Sequence, residues 1–174
     1  MNLQFKKLLL VIIAGSFAAT VGAQNVQQEA NLEAAFIYNF TKYIDWGPFG
    51  RDSIFVIGVA GESPIIESLN AIAASTRINN KRVVVKTINR GAEIADCDIL
   101  FISKKCMMPL NFILDKTKPG VLTIGEQPGF AEAGTAFNFV VVNNRLKFEA
   151  NLKAISSAGL KAGSQLLKLA IIVD

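Results

Sequence analysis

Histidine is absent from the 174-residue chain. That removes the commonest general base near neutral pH and the commonest neutral metal ligand. Cysteine is scarce, with only Cys97 and Cys106. They lack C-x-x-C spacing and have no histidine beside them, so nothing supports a zinc site. There is no G-x-S-x-G elbow, no Walker loop and no G-x-G-x-x-G turn, which leaves no motif for a nucleophilic serine, a nucleotide or a dinucleotide cofactor. Glu126 and Glu132 share one loop without an evident acid–base partner. Basic residues are scattered as Lys81 and Arg82, Lys104 and Lys105, Lys116 and Lys118, Arg145 and Lys147. A nucleic-acid surface needs a concentrated positive face, and none is present. These absences favour a binding protein over an enzyme, with no catalytic residues, no metal and no cofactor.

Long apolar runs are confined to the start. Lys6 and Lys7 precede an apolar stretch, Leu8 to Ala14, that weakens towards Val21 and ends in Val21-Gly22-Ala23. Charge, apolar core and small residues in that order describe a secretory signal cut after Ala23. Gly15, Ser16, Thr20 and Gly22 interrupt the run well short of the about 20 apolar residues of a membrane span. The mature chain, 24–174, suits a single domain outside the cytoplasm. Lys6 and Lys7 depart with the signal, which lowers the net charge from +4 to +2.

Export invites a disulfide between the two cysteines. Cys97 opens an apolar strand that runs to Ser103. Six strand residues separate its ends by roughly 20 Å, whereas a disulfide needs Cα atoms within about 7 Å. Two reduced, partly buried thiols are the expectation.

Periodicity sets out the elements. A helix is predicted over about Gln28 to Ile44, with Leu32, Phe36, Phe40, Tyr43 and Ile44 on its apolar face. Ser53 to Ala60 is a strand, and Ser63-Pro64 opens a helix to about Ser75. Gly58-Val-Ala-Gly61-Glu-Ser63 reads as a plain strand-to-helix turn. Asn79-Asn80 turns into a strand over Lys81 to Ile88. Strands at Cys97 to Ser103 and Val121 to Gly125 flank a short helix from Pro109 to Lys116. Such alternation predicts an α/β fold: three layers, with a mostly parallel sheet flanked by helices. Phe137 to Val142 and Arg145 to Ala150 form a C-terminal hairpin around Asn143-Asn144. Asn151 caps the next helix, Gly159 ends it, and Ser164 caps the last. The tail, 170–174, is apolar and is left either to pack or to meet a partner.

Several of these stretches resemble one family. Ala34-Ala-Phe-Ile-Tyr-Asn-Phe-Thr-Lys-Tyr-Ile-Asp-Trp46, Cys97-Asp-Ile-Leu-Phe-Ile102, Leu122 to Phe130, and Arg145-Leu-Lys-Phe-Glu-Ala-Asn151 with the helices after it are similar to the YfiR/HmsC-like periplasmic proteins. The resemblance implies a periplasmic regulator that binds the periplasmic domain of an inner-membrane diguanylate cyclase and holds it inactive. It also implies a homodimer and a redox response through disulfides. Ala150 stands where the family pattern suggests Ile, and no cysteine precedes Cys97 to supply a long-range partner. Candidate partner contacts are Trp46, Phe130, Glu149 and Asn151, with Cys97 and Cys106 as possible redox residues. A sensor domain for a small ligand, feeding another membrane signalling protein, is the alternative, because open α/β sheets bind ligands beyond their strand ends.

Overall fold

A computed structural model describes residues 25–49 and 53–173. The signal sequence and its cleavage site lie outside the described residues. Helix α1 spans residues 25–40 and holds Gln27, Gln28, Glu29, Ala30, Leu32, Glu33 and Ala34, all strong helix formers. Its buried stripe is Ala30, Glu33, Ala34, Ile37 and Phe40. The helix ends earlier than expected, and of its expected face Phe40 and Ile44 are buried and Phe36 packs against the core, whereas Leu32 and Tyr43 do not turn inward. The chain leaves the helix after Phe40, and Ile44–Asp45 (β1) pairs antiparallel with Lys161–Ala162 (β9). Leu32 and Tyr43 stay 46% and 41% exposed. Ala30 and Ala34 let the backbone lie close to the sheet, and Ile37 and Phe40 fill the core beside them.

The main sheet has eight strands: Ile54–Ala60 (β2), Arg77–Ile78 (β3), Lys81–Ile88 (β4), Ile99–Ile102 (β5), Leu122–Gly125 (β6), Phe137–Val142 (β7), Arg145–Asn151 (β8) and Ile171–Val173 (β10). Their order is β10-β8-β7-β6-β5-β2-β4-β3. Pairing is parallel from β7 through β6, β5 and β2 to β4, antiparallel in the β7–β8 hairpin and the β3–β4 edge, and parallel again between β8 and β10. The remaining helices are Ile65–Ser75 (α2), Leu110–Lys116 (α3), Leu152–Ser157 (α4) and Ser164–Leu167 (α5). The fold is a three-layer α/β architecture.

Each face of the sheet carries its own core. On one, α1 and α2 cover Phe55, Ile57, Val59, Phe101, Ile124, Phe137 and Phe139. Phe40 sits with its ring centroid 4.8 Å from both Phe137 and Phe148, so the helix is keyed to the hairpin by aromatic contact. On the other face, α3 and the 3-10 turn Gly91–Asp96 cover Val56, Ala60, Ile88, Leu100 and Ile102. Alternating residues of β2 therefore feed two different cores, which is why its sequence is apolar throughout.

Local chemistry fixes the junctions. Asn79, Asn80, Asn143 and Asn144 all have positive φ, and asparagine tolerates that region better than most residues. The Asn143-Asn144 pair gives the tight hairpin turn that matches strand twist. Asn151 caps α4 through Oδ1, which accepts from the Ala154 N–H at 2.8 Å. The final helix starts one residue earlier than expected, at Ser164, with Gly163 instead of Ser164 in the cap position. Buried Asp98 holds the start of the central sheet. Its Oδ2 accepts from the Val56 N–H at 2.7 Å, and its own N–H donates to the Val56 carbonyl at 2.9 Å.

Candidate functional site at the carboxyl ends of the strands

From β2 the chain passes through α2 to β4 on one side. It then crosses back to β5 on the other side of β2. The carboxyl ends of β2 and β5 therefore flank a topological switch point, the position where open α/β sheets form a ligand crevice. Gly61, Glu62 and Ser63 leave β2 there, Ser103 and Lys104 leave β5, and Glu126 leaves β6. The first half of α1 forms the outer wall.

A recess of about 180 Å³ lies between Val26, Glu29, Ala30 and Glu33 of α1 and Ser63, Ser103, Lys104 and Glu126. A second, of about 340 Å³, shares Glu29, Glu33, Lys104 and Glu126 and continues along Phe139, Val141 and Leu146 of the hairpin. A third, of about 630 Å³, opens on the other side of Glu62 towards Thr87, Asn89, Cys106 and Met107.

The rim is tied together by hydrogen bonds. The Ser103 N–H donates to the Ala60 carbonyl at 3.0 Å, and its hydroxyl donates to the Glu62 carbonyl at 2.7 Å. Glu126 Oε1 accepts from the Lys104 N–H and lies 3.2 Å from the Ser103 hydroxyl. Gly61 has φ +87°, and a Cβ there would lie 2.7 Å from the Cys106 backbone. The turn after β2 thus needs glycine twice over, for its φ and for the close approach.

Glu33 is the unusual group. It is 5% exposed and lines both of the α1-facing recesses. Burial, reinforced by the nearby charges of Glu126 and Glu29 and opposed by Lys104, pushes its carboxyl up to about 8. A buried carboxyl among other carboxyls is held protonated in this way.

The residues singled out from sequence lie elsewhere. Trp46 is buried under the amino ends of the strands, edge-on to Phe55, with its Nε1–H donating to the Asp98 carbonyl at 3.5 Å. Phe130 is half-buried and fills the space that a side chain at Gly125 would need. Glu149 is half-buried rather than merely solvated, and it accepts from Asn138 Nδ2 at 2.9 Å. Asn151 is buried, capping α4 with one amide atom and donating to the Ala131 carbonyl at 2.8 Å with the other. No disulfide joins Cys97 and Cys106. The first is buried and the second half-buried, at opposite ends of β5. The structure does not bring these six residues into one site.

The sequence of residues 30–171 matches the family model described as YfiR/HmsC-like. The chain belongs to this YfiR/HmsC-like family. The family is periplasmic and regulatory rather than catalytic, and it implies interaction with a membrane signalling protein. No curated protein matches the sequence. Among solved structures, a conserved domain protein from Vibrio cholerae superposes with a TM-score of 0.51 at 11% identity, covering 83% of this chain. This chain spans 60% of that protein, so the likeness concerns the fold alone. The ABC domain from Streptococcus pneumonia, solved in complex with L-Trp, superposes with a TM-score of 0.48 at 11% identity. It covers 70% of this chain and 55% of its own.

Within this YfiR/HmsC-like chain, sequence reasoning missed Glu33 because it centred the inward face of α1 on Leu32, Phe36 and Phe40 and left out the row beside them. A signal was there. Ala30, Glu33, Ala34 and Ile37 fall on one helical stripe, and the carboxylate in that stripe had to be buried.

Proposed function

We propose that this YfiR/HmsC-like protein is exported with cleavage after Ala23 and represses a membrane diguanylate cyclase by binding its periplasmic domain. The family match over residues 30–171 carries this reading, since it takes in both cores, the hairpin and the strand-end crevice. The lack of histidine and of catalytic motifs accords with a protein that acts by binding. In this reading the protein forms a homodimer, and release from the cyclase raises cyclic di-GMP. Deleting the gene should raise cyclic di-GMP several-fold, and expressing the exported protein should restore it. Unchanged cyclic di-GMP in the deletion strain would defeat the proposal. Amino-terminal sequencing of protein from the periplasmic fraction should begin at Gln24.

The crevice favours a second reading, that of a sensor for a small ligand. It sits at the topological switch point, and its recesses fall near the about 300–1,000 Å³ of small-molecule sites. The two readings are compatible, since a ligand that changes how α1 packs would alter the surface offered to a membrane partner.

A further inference from the structure

Glu33 is more than 90% buried, and among the described residues no hydrogen bond or ion pair reaches its carboxyl, which lines the recess. Its oxygens open onto the recess, so they are free to accept from a group that enters it. Around it stand Glu29 from α1, Glu126 after β6 and Lys104 after β5, with Glu62 and Lys105 further along the same recess. With Glu33 protonated, three carboxylates face two ammonium groups, so the recess carries excess negative charge. Glu126 is held in place by the Lys104 N–H and Ser103, so it is pre-oriented towards the recess.

Among the described residues, no three carboxylates come close enough together to hold a metal ion. A bare metal ion therefore lacks the ligand set it needs there, whereas an ammonium asks only for a few hydrogen-bond acceptors. The neighbouring recess is apolar along Phe139, Val141 and Leu146. Val141 is 61% exposed, which is a large apolar surface for a strand residue beside a crevice.

We propose that the crevice binds an organic amine, its ammonium held between Glu33, Glu29 and Glu126 and its apolar body lying along Phe139, Val141 and Leu146. The ammonium would supply the hydrogen-bond donors that Glu33 lacks, and the strip of Phe139, Val141 and Leu146 suits an apolar body. This inference deepens the ligand-sensing reading and does not depend on the cyclase. It is tested on the purified mature chain alone, so the two can fail separately.

The probes are phenethylamine, 2-phenylethanol and phenylacetate, compared by calorimetry and thermal shift at pH 7. Phenethylamine should bind with a saturable heat, while the neutral and anionic analogues bind at least 10-fold more weakly. Glu33→Gln, a neutral isostere that should fold, is expected to weaken amine binding at least 10-fold. Glu126→Gln should weaken it as well. Because Glu33 is held protonated in the free protein, amine binding should release close to one proton, read from the dependence of the heat on buffer. Equal binding of the alcohol and the amine would overturn the proposal. So would no saturable amine binding up to about 10 mM, or both variants binding as the unaltered protein does.

Discussion

At the scale of single residues, Glu33 and Gly61 are the positions where chemistry and packing conflict most. The Glu33 carboxyl is raised in the folded protein to about 8 from an ordinary 4.5. Between those values the folded state binds the extra proton, so stability falls as pH rises from about 4.5 to about 8, and levels off above. Glu33→Gln removes this dependence. The variant should match the unaltered protein near pH 4 and melt several degrees higher at pH 9, as thermal unfolding across that range would show. Gly61→Ala adds a methyl group against the Cys106 backbone at a positive φ. It should cost about 2 kcal/mol or more, seen as a lower denaturation midpoint. The thiols differ by position. Cys106 should react with a thiol reagent in the native protein within minutes, while Cys97, at 4% exposure, reacts only on unfolding. Equal rates would contradict the packing of β5.

At the scale of elements, the hairpin and the tail behave differently. Asn143-Asn144 and the Asn151 cap were readable from sequence because turn and cap chemistry depend on a few neighbouring residues. Asn151→Ala should cost about 1–2 kcal/mol, since it loses the α4 cap and leaves the Ala131 carbonyl without its side-chain donor. Strand β10 was not readable. Residues 170–174 are simply apolar, and only the arrival of the chain beside β8 turns Ile171–Val173 into a parallel edge strand. Leu169, Ile171 and Ile172 remain 71%, 38% and 45% exposed there. Ending the chain at Ala170 should bare the β8 edge and make the protein aggregate at lower temperature, as light scattering during a thermal ramp would detect.

At the scale of the whole molecule, the two cores share one sheet, and its central strands feed both. Hydrogen exchange should therefore be slowest in β2, β5 and β6 and fastest in the two-residue strands β3 and β9, because local opening is cheapest where few apolar contacts must be broken. The crevice belongs to this scale too. Glu33, Ser103, Lys104 and Glu126 are spread over more than ninety positions of sequence, and no single motif holds them together. They meet because the strand order reverses beside β2 and α1 lies across the ends.

The sequence by itself determined the strands that feed the cores, the asparagine turns, the Asn151 cap, the α/β class and the family resemblance. Each of these rests on local spacing or on the chemistry of a few adjacent residues. Only the tertiary structure decided which face of α1 turns inward, where the tail goes and which charges meet at the crevice. The physical reason is the same in all three cases. An alanine stripe is chosen by how closely a helix can approach a sheet, an apolar tail becomes a strand only beside an open edge, and a carboxyl becomes unusual only when burial and distant charges surround it. None of these is a property of neighbouring residues in the chain.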